Sequence, residues 1–204
     1  MKKIVFIIVA IVLTATVIGI IKRSEDNVDD FLSNSNNFSL DKSIQREDSV
    51  DEIVSDFSIK VEDKYISIRE HHNNLSSILG TPISEEIEIL GEESDTFNGS
   101  RIKTLTYDGL IIEEFSPEKA GNGGFWILSM TVTNENYSTE KGLTIGDKLD
   151  RIKELYGNVE ILKDGRTDSN NCAYIFKDDV EPNFIVFEVE DGITNEIRIY
   201  HELQ

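Results

Sequence analysis

Residues 142–157 read GLTIGDKLDRIKELYG, and this stretch decides the fold. Its apolar residues recur with helical spacing, and Gly157 stands where a helix commonly ends in a left-handed residue. Thr144 and Asp147 have the spacing of a capping box, and Asp147 is an alternative N-cap. The stretch therefore predicts a short amphipathic helix that ends at Gly157.

A second copy of this pattern lies 77 residues upstream, where residues 65–80 read YISIREHHNNLSSILG. Ser67 and Glu70 repeat the capping-box spacing, and Pro82 follows the copy. The two copies align without a gap, and the apolar pairs are Ile66 with Leu143, Ile68 with Ile145, Leu75 with Ile152, and Ile78 with Leu155. A period of this length predicts a duplicated domain, because solenoid repeats are shorter.

Strand patterns follow each copy. They cover residues 101–115 and 125–134 after the first, and residues 170–177, 183–190 and 195–203 after the second. Turn signals separate them at Asp108-Gly109, Gly121–Gly124 and Asp191-Gly192. We therefore predict an α+β fold in which two tandem repeats, residues 59–140 and 141–204, each pack one helix on an antiparallel meander. The two meanders are expected to share one curved sheet.

The helix pattern at 142–157 followed by a β-meander resembles the fold family of the β-lactamase inhibitory protein and the SmpA/OmlA envelope lipoproteins. The resemblance covers roughly residues 65–204. In the first copy, His71 to Asn74 replace the expected helix formers. The resemblance implies an envelope location and a binding role without a cofactor, and it assigns no functional residue.

The N-terminal residues 1–23 are separate from this domain. An apolar run spans residues 4–21 between Lys2-Lys3 and Lys22-Arg23, and it is long enough to cross a bilayer as a helix. No Ala-x-Ala cleavage site or lipoprotein cysteine accompanies it. We predict an uncleaved transmembrane signal anchor in the cell membrane, with the C-terminal domain extracytoplasmic. The alternative is secretion after signal cleavage.

Residues 24–58 predict an acidic flexible linker. They contain ten acidic and two basic residues, many Ser and Asn, and few apolar side chains. Such a composition cannot bury enough apolar surface to fold, and its charges repel one another. The segment is expected to hold the folded part away from the membrane.

Acidic residues greatly outnumber basic ones after the predicted anchor. Residues 24–204 carry all 39 acidic residues and 16 of the 20 basic ones, a net charge of −23. This charge excludes nucleic acid and anionic lipid headgroups as expected partners and favours a basic protein or cations. Cys172 is the single cysteine, so no intramolecular disulfide can form.

Chemical motifs are weak. Cys172 beside an aromatic strand predicts a packed thiol rather than a nucleophile. His71 and His72 are adjacent, and neighbouring helix residues point too far apart to share a metal. Asp164 and Asp168 lack the glycine and closing glutamate of a calcium loop. We predict no catalytic, cofactor-binding or metal-binding residue.

These observations favour a non-enzymatic, membrane-anchored, extracytoplasmic protein-interaction module. The alternatives are an envelope hydrolase with unidentified acidic catalytic residues and a structural or sensory ectodomain. Antiparallel sheets commonly leave one face to solvent, so the binding site is expected on the face without helices. Trp126, Met130 and Tyr200 are the predicted protein-binding residues there.

Overall fold

The structure is a computed structural model and describes residues 54–71, 75–117 and 124–204, all within one compact unit, Ser49–Gln204. The predicted anchor, nearly all of the predicted linker, His72 and the Gly121–Gly123 turn lie outside the described residues. In the described part of the chain, no helix is long and apolar enough to cross a membrane. The described fold is α+β and mainly β.

Eleven strands, two α-helices and one 3₁₀ helix make up the described residues. The strands are β1 Ser58–Val61, β2 Lys64–Ser67, β3 Ser84–Ile89, β4 Arg101–Tyr107, β5 Leu110–Ser116, β6 Trp126–Val132, β7 Ser138–Thr139, β8 Glu160–Ile161, β9 Cys172–Lys177, β10 Asn183–Glu190 and β11 Ile193–His201. The helices are α1 Ser76–Leu79, α2 Leu149–Tyr156 and the 3₁₀ helix Glu92–Phe97.

Eight strands form one antiparallel sheet in the order β3-β4-β5-β6-β11-β10-β9-β8. Strands β3 to β6 follow α1 and strands β8 to β11 follow α2, so each helix precedes one half of the sheet. The halves meet where the last strand of each, β6 and β11, pair side by side. A small sheet, in the order β2-β1-β7, lies apart from this ladder.

The hairpin between β10 and β11 has the turn that its sequence predicts. Asp191 and Gly192 connect the facing pair Glu190 and Ile193, and both turn residues have positive φ, 52° and 75°. This is the type I′ geometry that Asp-Gly favours, and its twist matches that of the strands. The two-residue turn therefore fixes the register beside it, up to a bulge between Glu188 and Val189 where the register shifts.

One hydrophobic core joins the eight-stranded sheet, the small sheet and both helices on a single face. Its fully buried large side chains are Ile59, Ile66, Leu110, Ile112, Ile127, Met130, Leu143, Ile152, Ile185, Phe187, Ile197 and Ile199. Residues of all three layers contact one another, so helices and small sheet cover the same side of the large sheet. The opposite side carries neither α1 nor α2, and we call it the helix-free face.

Helix α2 begins later than the sequence predicts. Its N-cap is Lys148, which makes no side-chain cap. The Asp147 carboxylate instead accepts a hydrogen bond from the Thr144 N–H at 2.8 Å. The capping-box residues thus bond to each other, but they close a turn that precedes the helix.

The first copy is helical over a much shorter stretch than predicted. Ser67 is the last residue of β2, and its hydroxyl lies 2.8 Å from the Ser58 hydroxyl of β1. The predicted capping box at Ser67 is therefore wrong, because this residue pairs in a sheet. Only Ser76–Leu79 form α1, and Gly80 ends it with φ 75°.

The aligned apolar positions nevertheless have equivalent environments. Leu75 and Ile152 are both buried in the core, as the repeat predicts. Ile78 and Leu155 are both half-buried against its edge, which is less burial than we expected. The alignment therefore identifies which side of each helix packs.

Candidate functional site

The helix-free face carries the side chains that alternate with the core. Along β11, Ile197 and Ile199 enter the core while Arg198 and Tyr200 point to the opposite face. This alternation is the strand periodicity that the sequence predicts. A binding residue on this face must therefore belong to the row of side chains that points away from the core.

A groove of about 480 Å³ lies on this face, over the junction of the two halves of the sheet. Strands β5, β6 and β11 supply its walls. Its lining residues are Ile111, Glu113, Leu128, Ser129, Thr131, Glu196, Arg198, Tyr200 and His201. We call it the central groove.

Charged side chains in the central groove are bonded within the protein. The Ser129 hydroxyl donates to Glu113 at 2.7 Å, and Arg198 donates to Glu196 at 3.3 Å. Arg198 also lies 4.0 Å from a carboxylate oxygen of Glu188. A groove of this kind offers donors, acceptors and one guanidinium to a bound chain.

Tyr200 is on this face, as predicted. Its ring stacks on Phe184 with centroids 5.2 Å apart and planes 24° apart. Burial raises the pKa of Tyr200, with a smaller rise from Glu202, so its hydroxyl stays a neutral donor at physiological pH. Tyr200 therefore presents a fixed aromatic edge with a polar tip, which suits contact with another protein.

Trp126 is half-buried and borders the groove rather than lining it. Its ring meets Phe115 edge-on at 5.4 Å and His201 edge-on at 5.8 Å. Through His201 it reaches the groove wall. Trp126 thus supports the site from one side, and part of its ring stays accessible.

Met130 is not on the helix-free face, and its prediction as a binding residue there is corrected. Its side chain is fully buried in the core. Met130 faces Ile112 and Ile199 on the neighbouring strands, and both of these enter the core. Trp126 differs from Met130 because of a bulge in β6, where Glu113 faces Ser129 and Glu114 faces Ile127. The extra residue, Leu128, shifts the alternation, so Met130 and Ile127 both enter the core although they are three residues apart.

His201 is a groove residue that the sequence analysis did not select. Its Nδ1 lies 2.8 Å from the Asn183 side-chain oxygen. Because the Asn183 amide nitrogen donates to Asp178, that oxygen is an acceptor, and Nδ1 carries the proton. Desolvation by burial, followed by the charge of Arg69, lowers the pKa of His201. The ring is thus neutral at physiological pH.

Two segments cover the ends of the helix-free face. On the second half, Leu162 packs over Ala173, Ile175 and Val186, and Arg166 bonds to Glu188 at 2.8 Å. On the first half, Phe97 of the 3₁₀ helix meets Phe115 edge-on at 5.8 Å. The exposed part of the helix-free face is therefore the strip between these two segments. It is smaller than the fully open face that the sequence predicts.

The weaker chemical candidates have structural partners. Cys172 is fully buried, with Sγ 3.7 Å from the Ser169 carbonyl oxygen, which confirms the packed thiol. Asp164 bonds to Arg166, and Asp168 accepts hydrogen bonds from Asn170 and Asn171. Within residues 54–71, 75–117 and 124–204, no three His, Cys, Asp or Glu side chains cluster as metal ligands would.

No protein-family model matches the chain, and neither a curated protein nor a solved structure matches it. The resemblance to the β-lactamase inhibitory protein and SmpA/OmlA fold family therefore stays a prediction. The proposed function therefore rests on the central groove and its residues.

Proposed function

We propose that this chain is a non-enzymatic protein-interaction module that an N-terminal segment holds at the outer side of a membrane. The observation that carries the proposal is the central groove, where Tyr200 and Arg198 border an open strip of sheet. Tyrosine, tryptophan and arginine are the residues that most often dominate the energy of protein interfaces. The groove combines two of them, and Trp126 stands at its side.

The domain consists of two tandem repeats, each a helix followed by four antiparallel strands. Support comes from the element order on the two sides of the β6–β11 junction and from the shared burial of Leu75 and Ile152. The groove lies where the repeats meet, so both halves contribute to it. A binding site at such a junction requires the duplicated sheet to be intact.

Residues 4–21 anchor the chain, and residues 24–53 separate the domain from the bilayer; the predicted linker is shortened at its end because Phe57 and Ser58 are buried in the fold. Support comes from the apolar run, its basic flanks and the acidic composition that follows. Full-length protein should stay in the membrane pellet after high-salt and carbonate washes. Recovery of a mature chain from the medium, with its N-terminus near Ile20, would remove the anchor from the proposal.

The partner is a protein with a basic surface. Residues 24–204 carry a net charge of −23, which attracts positive surfaces over distances of about one Debye length. Association should therefore be faster at low ionic strength, with most of the salt effect in the on-rate. Mutating groove residues should act on the off-rate instead.

A site-specific photo-crosslinker tests the groove in intact cells. Full-length protein with the crosslinker at Tyr200 is compared with a matched protein that carries it at Tyr65, a half-buried tyrosine of the small sheet. We expect a protein adduct at position 200 and none at position 65. Trp126→Ala, combined with the crosslinker at position 200, should reduce the adduct while circular dichroism stays unchanged.

Two outcomes contradict this assignment. Equal adducts at positions 200 and 65 would mean that contact is unspecific. Unfolding of the Trp126→Ala variant would mean that its contacts with Phe115 and His201 serve the core, so that Trp126 is no binding residue.

A further inference from the structure

Strand β3, Ser84–Ile89, forms one border of the eight-stranded sheet and pairs only with β4 among the described residues. All six of its residues are exposed. The other border, β8, has only two residues, and short edge strands are one way in which proteins prevent unwanted pairing. The long border at β3 is therefore the surface where another strand can add.

The outward backbone groups of β3 follow from the ladder. The Leu90 N–H donates to the Ser100 carbonyl at 2.8 Å, which makes positions 90 and 100 a hydrogen-bonded pair. Bonded and non-bonded pairs alternate along an antiparallel ladder, so Glu86 and Glu88 also bond to β4. Glu85, Ile87 and Ile89 consequently point their N–H and C=O groups away from the sheet.

The side chains of β3 form two different rows. Glu86 and Glu88 face the same side as Thr104 and Ile102, opposite to them on β4. Ile87 and Ile89 lie on the other side and are 55% and 69% exposed. An added strand would therefore meet Glu86 and Glu88 on one face, and Ile87 and Ile89 with Glu85 beside them on the other.

We propose that β3 binds an extended segment of a partner protein by antiparallel strand addition, with Lys or Arg opposite Glu86 and Glu88 and apolar residues opposite Ile87 and Ile89. Directly opposed charges and apolar side chains each stabilise a strand pair. The backbone of β3 supplies the hydrogen bonds, and its side-chain rows select the sequence. This site lies on the sheet border and does not depend on the central groove.

Charge excludes two other occupants. In an antiparallel pair of two β3 strands centred on Ile87, Glu86 would stand opposite Glu88 of the second copy, and like charges in this position destabilise the pair. The chain's own residues 24–58 carry ten acidic and two basic residues, so the carboxylate row repels them too. A basic segment of another protein is the occupant that fits.

The first test uses three fluorescent peptides of alternating valine and lysine with full-length protein in mild detergent. One is unmodified, one is N-methylated on its valines and one on its lysines. In antiparallel addition the residues opposite Ile87 and Ile89 donate their own N–H groups, so valine methylation should weaken binding at least about tenfold. Lysine methylation should leave it unchanged. The methylated peptides have equal charge, so equal binding of both would overturn the proposal.

The second test changes the protein. Ile87→Pro removes an outward N–H while the bonds between β3 and β4 remain, and proline is tolerated at such edge positions. We expect Ile87→Pro to lower the affinity for the unmodified peptide at least about tenfold. Ile87→Val keeps the N–H group and should bind this peptide with the wild-type affinity. Peptide binding by Ile87→Pro at full strength would also overturn the proposal.

A third comparison separates this site from the groove. Trp126→Ala should leave peptide binding unchanged, because strands β4 and β5 lie between β3 and β6, the strand of Trp126. Loss of peptide binding in Trp126→Ala but not in Ile87→Pro would assign the peptide to the groove and refute addition at β3. Dimers of the protein on gel filtration without peptide would point to self-pairing and would refute the charge argument.

Discussion

The two halves of the eight-stranded sheet have the same order of elements but differ in how well they are covered. In the second half, α2 places Leu149, Ile152 and Tyr156 in the core, and the border strand has two residues. In the first half, α1 has four residues, none of them buried, and the border strand β3 is exposed along its length. The helix therefore packs more extensively in the second half, and the exposed border strand is longer in the first.

The comparison extends to the kind of interior each half has. In the first half, Glu114 is buried and forms an ion pair with Lys103 at 2.6 Å across β4 and β5. In the second half, Phe187 contacts Tyr156 with ring centroids 4.8 Å apart. Burial of aromatic surface stabilises a fold directly, whereas a buried ion pair must first offset its desolvation. The two halves therefore differ in what they bury: a charged pair in the first, and an aromatic pair between helix and sheet in the second.

Truncation of apolar side chains in the helical segments has the largest expected effect on stability. Ile152→Ala removes a fully buried side chain of α2 and should lower the free energy of unfolding by about 2–5 kcal/mol. Leu155→Ala, half-buried on the same helix, should cost about 1 kcal/mol because less surface is lost. Urea unfolding followed by circular dichroism measures both.

The same two substitutions in the first half complete the comparison. Leu75→Ala should resemble Ile152→Ala, and Ile78→Ala should resemble Leu155→Ala, because the paired positions have matching burial. Near-neutral effects at both Leu75 and Ile152 would break the equivalence of the two halves.

The buried ion pair gives the next effect. Lys103→Met leaves the Glu114 carboxylate in the core without its ion-pair partner, and the stability should fall by about 2–4 kcal/mol. The Lys103 ammonium also lies 4.3 Å from the centre of the Phe125 ring, a contact that methionine keeps only in part. Chemical unfolding at neutral pH measures the loss.

The double variant Lys103→Met with Glu114→Leu is the matched control. It removes both charges from the interior, so most of the stability lost by the single variant should return. An equal loss in the single and double variants would assign the effect to packing against Phe125 instead of to the unpaired charge.

Sequence alone predicted the elements with strong local patterns. Strands β10 and β11 alternate over residues 184–189 and 197–200 and are joined by Asp-Gly, so both their existence and their turn were predicted. Helix α2 was found from its apolar spacing, although it begins at Leu149 rather than near Thr144. Here local preference and tertiary packing favour the same structure.

Other elements depend on distant contacts and were missed. Strand β3 reads SEEIEI, and glutamate is disfavoured in strands, so only its pairing with β4 reveals it. Strand β1 lies at the predicted linker boundary, where Phe57 stacks on Phe176 at 5.9 Å. In β6 the bulge at Leu128 reverses the alternation and places Met130 and Trp126 on opposite faces of the sheet. No local pattern announces such a bulge.

Removing a surface ion pair should lower the stability less than Lys103→Met does. Arg166 bonds to Asp164 and Glu188 and holds residues 162–170 over the second half, but its side chain is 42% exposed. Arg166→Ala should therefore cost about 1 kcal/mol or less, and less still at high salt. Unfolding midpoints at low and high salt measure this. A loss as large as that of Lys103→Met would show that solvent does not screen this contact.

The smallest effect concerns pH and the groove. Desolvation by burial, then the charge of Arg69, lowers the pKa of His201 below its ordinary value of 6.5. As the pH falls below about 6.5, the unfolded chain takes up a proton at this residue before the folded chain does. The contribution of His201 to stability is thus fully present above that pH and is lost as the pH falls through the folded-state pKa.

His201→Asn removes this titration and keeps an amide donor for the Asn183 oxygen. Between about pH 7 and pH 5, the wild-type protein should lose more stability than the variant, by on the order of a few tenths of a kcal/mol because the ring is partly exposed. Carboxylate titrations are common to both chains and cancel in the difference. If the stability of the two proteins changes with pH in parallel, the imidazole has the same proton affinity in the folded and unfolded states. The lowered pKa of His201 would then be wrong, and with it the neutral ring beside Trp126.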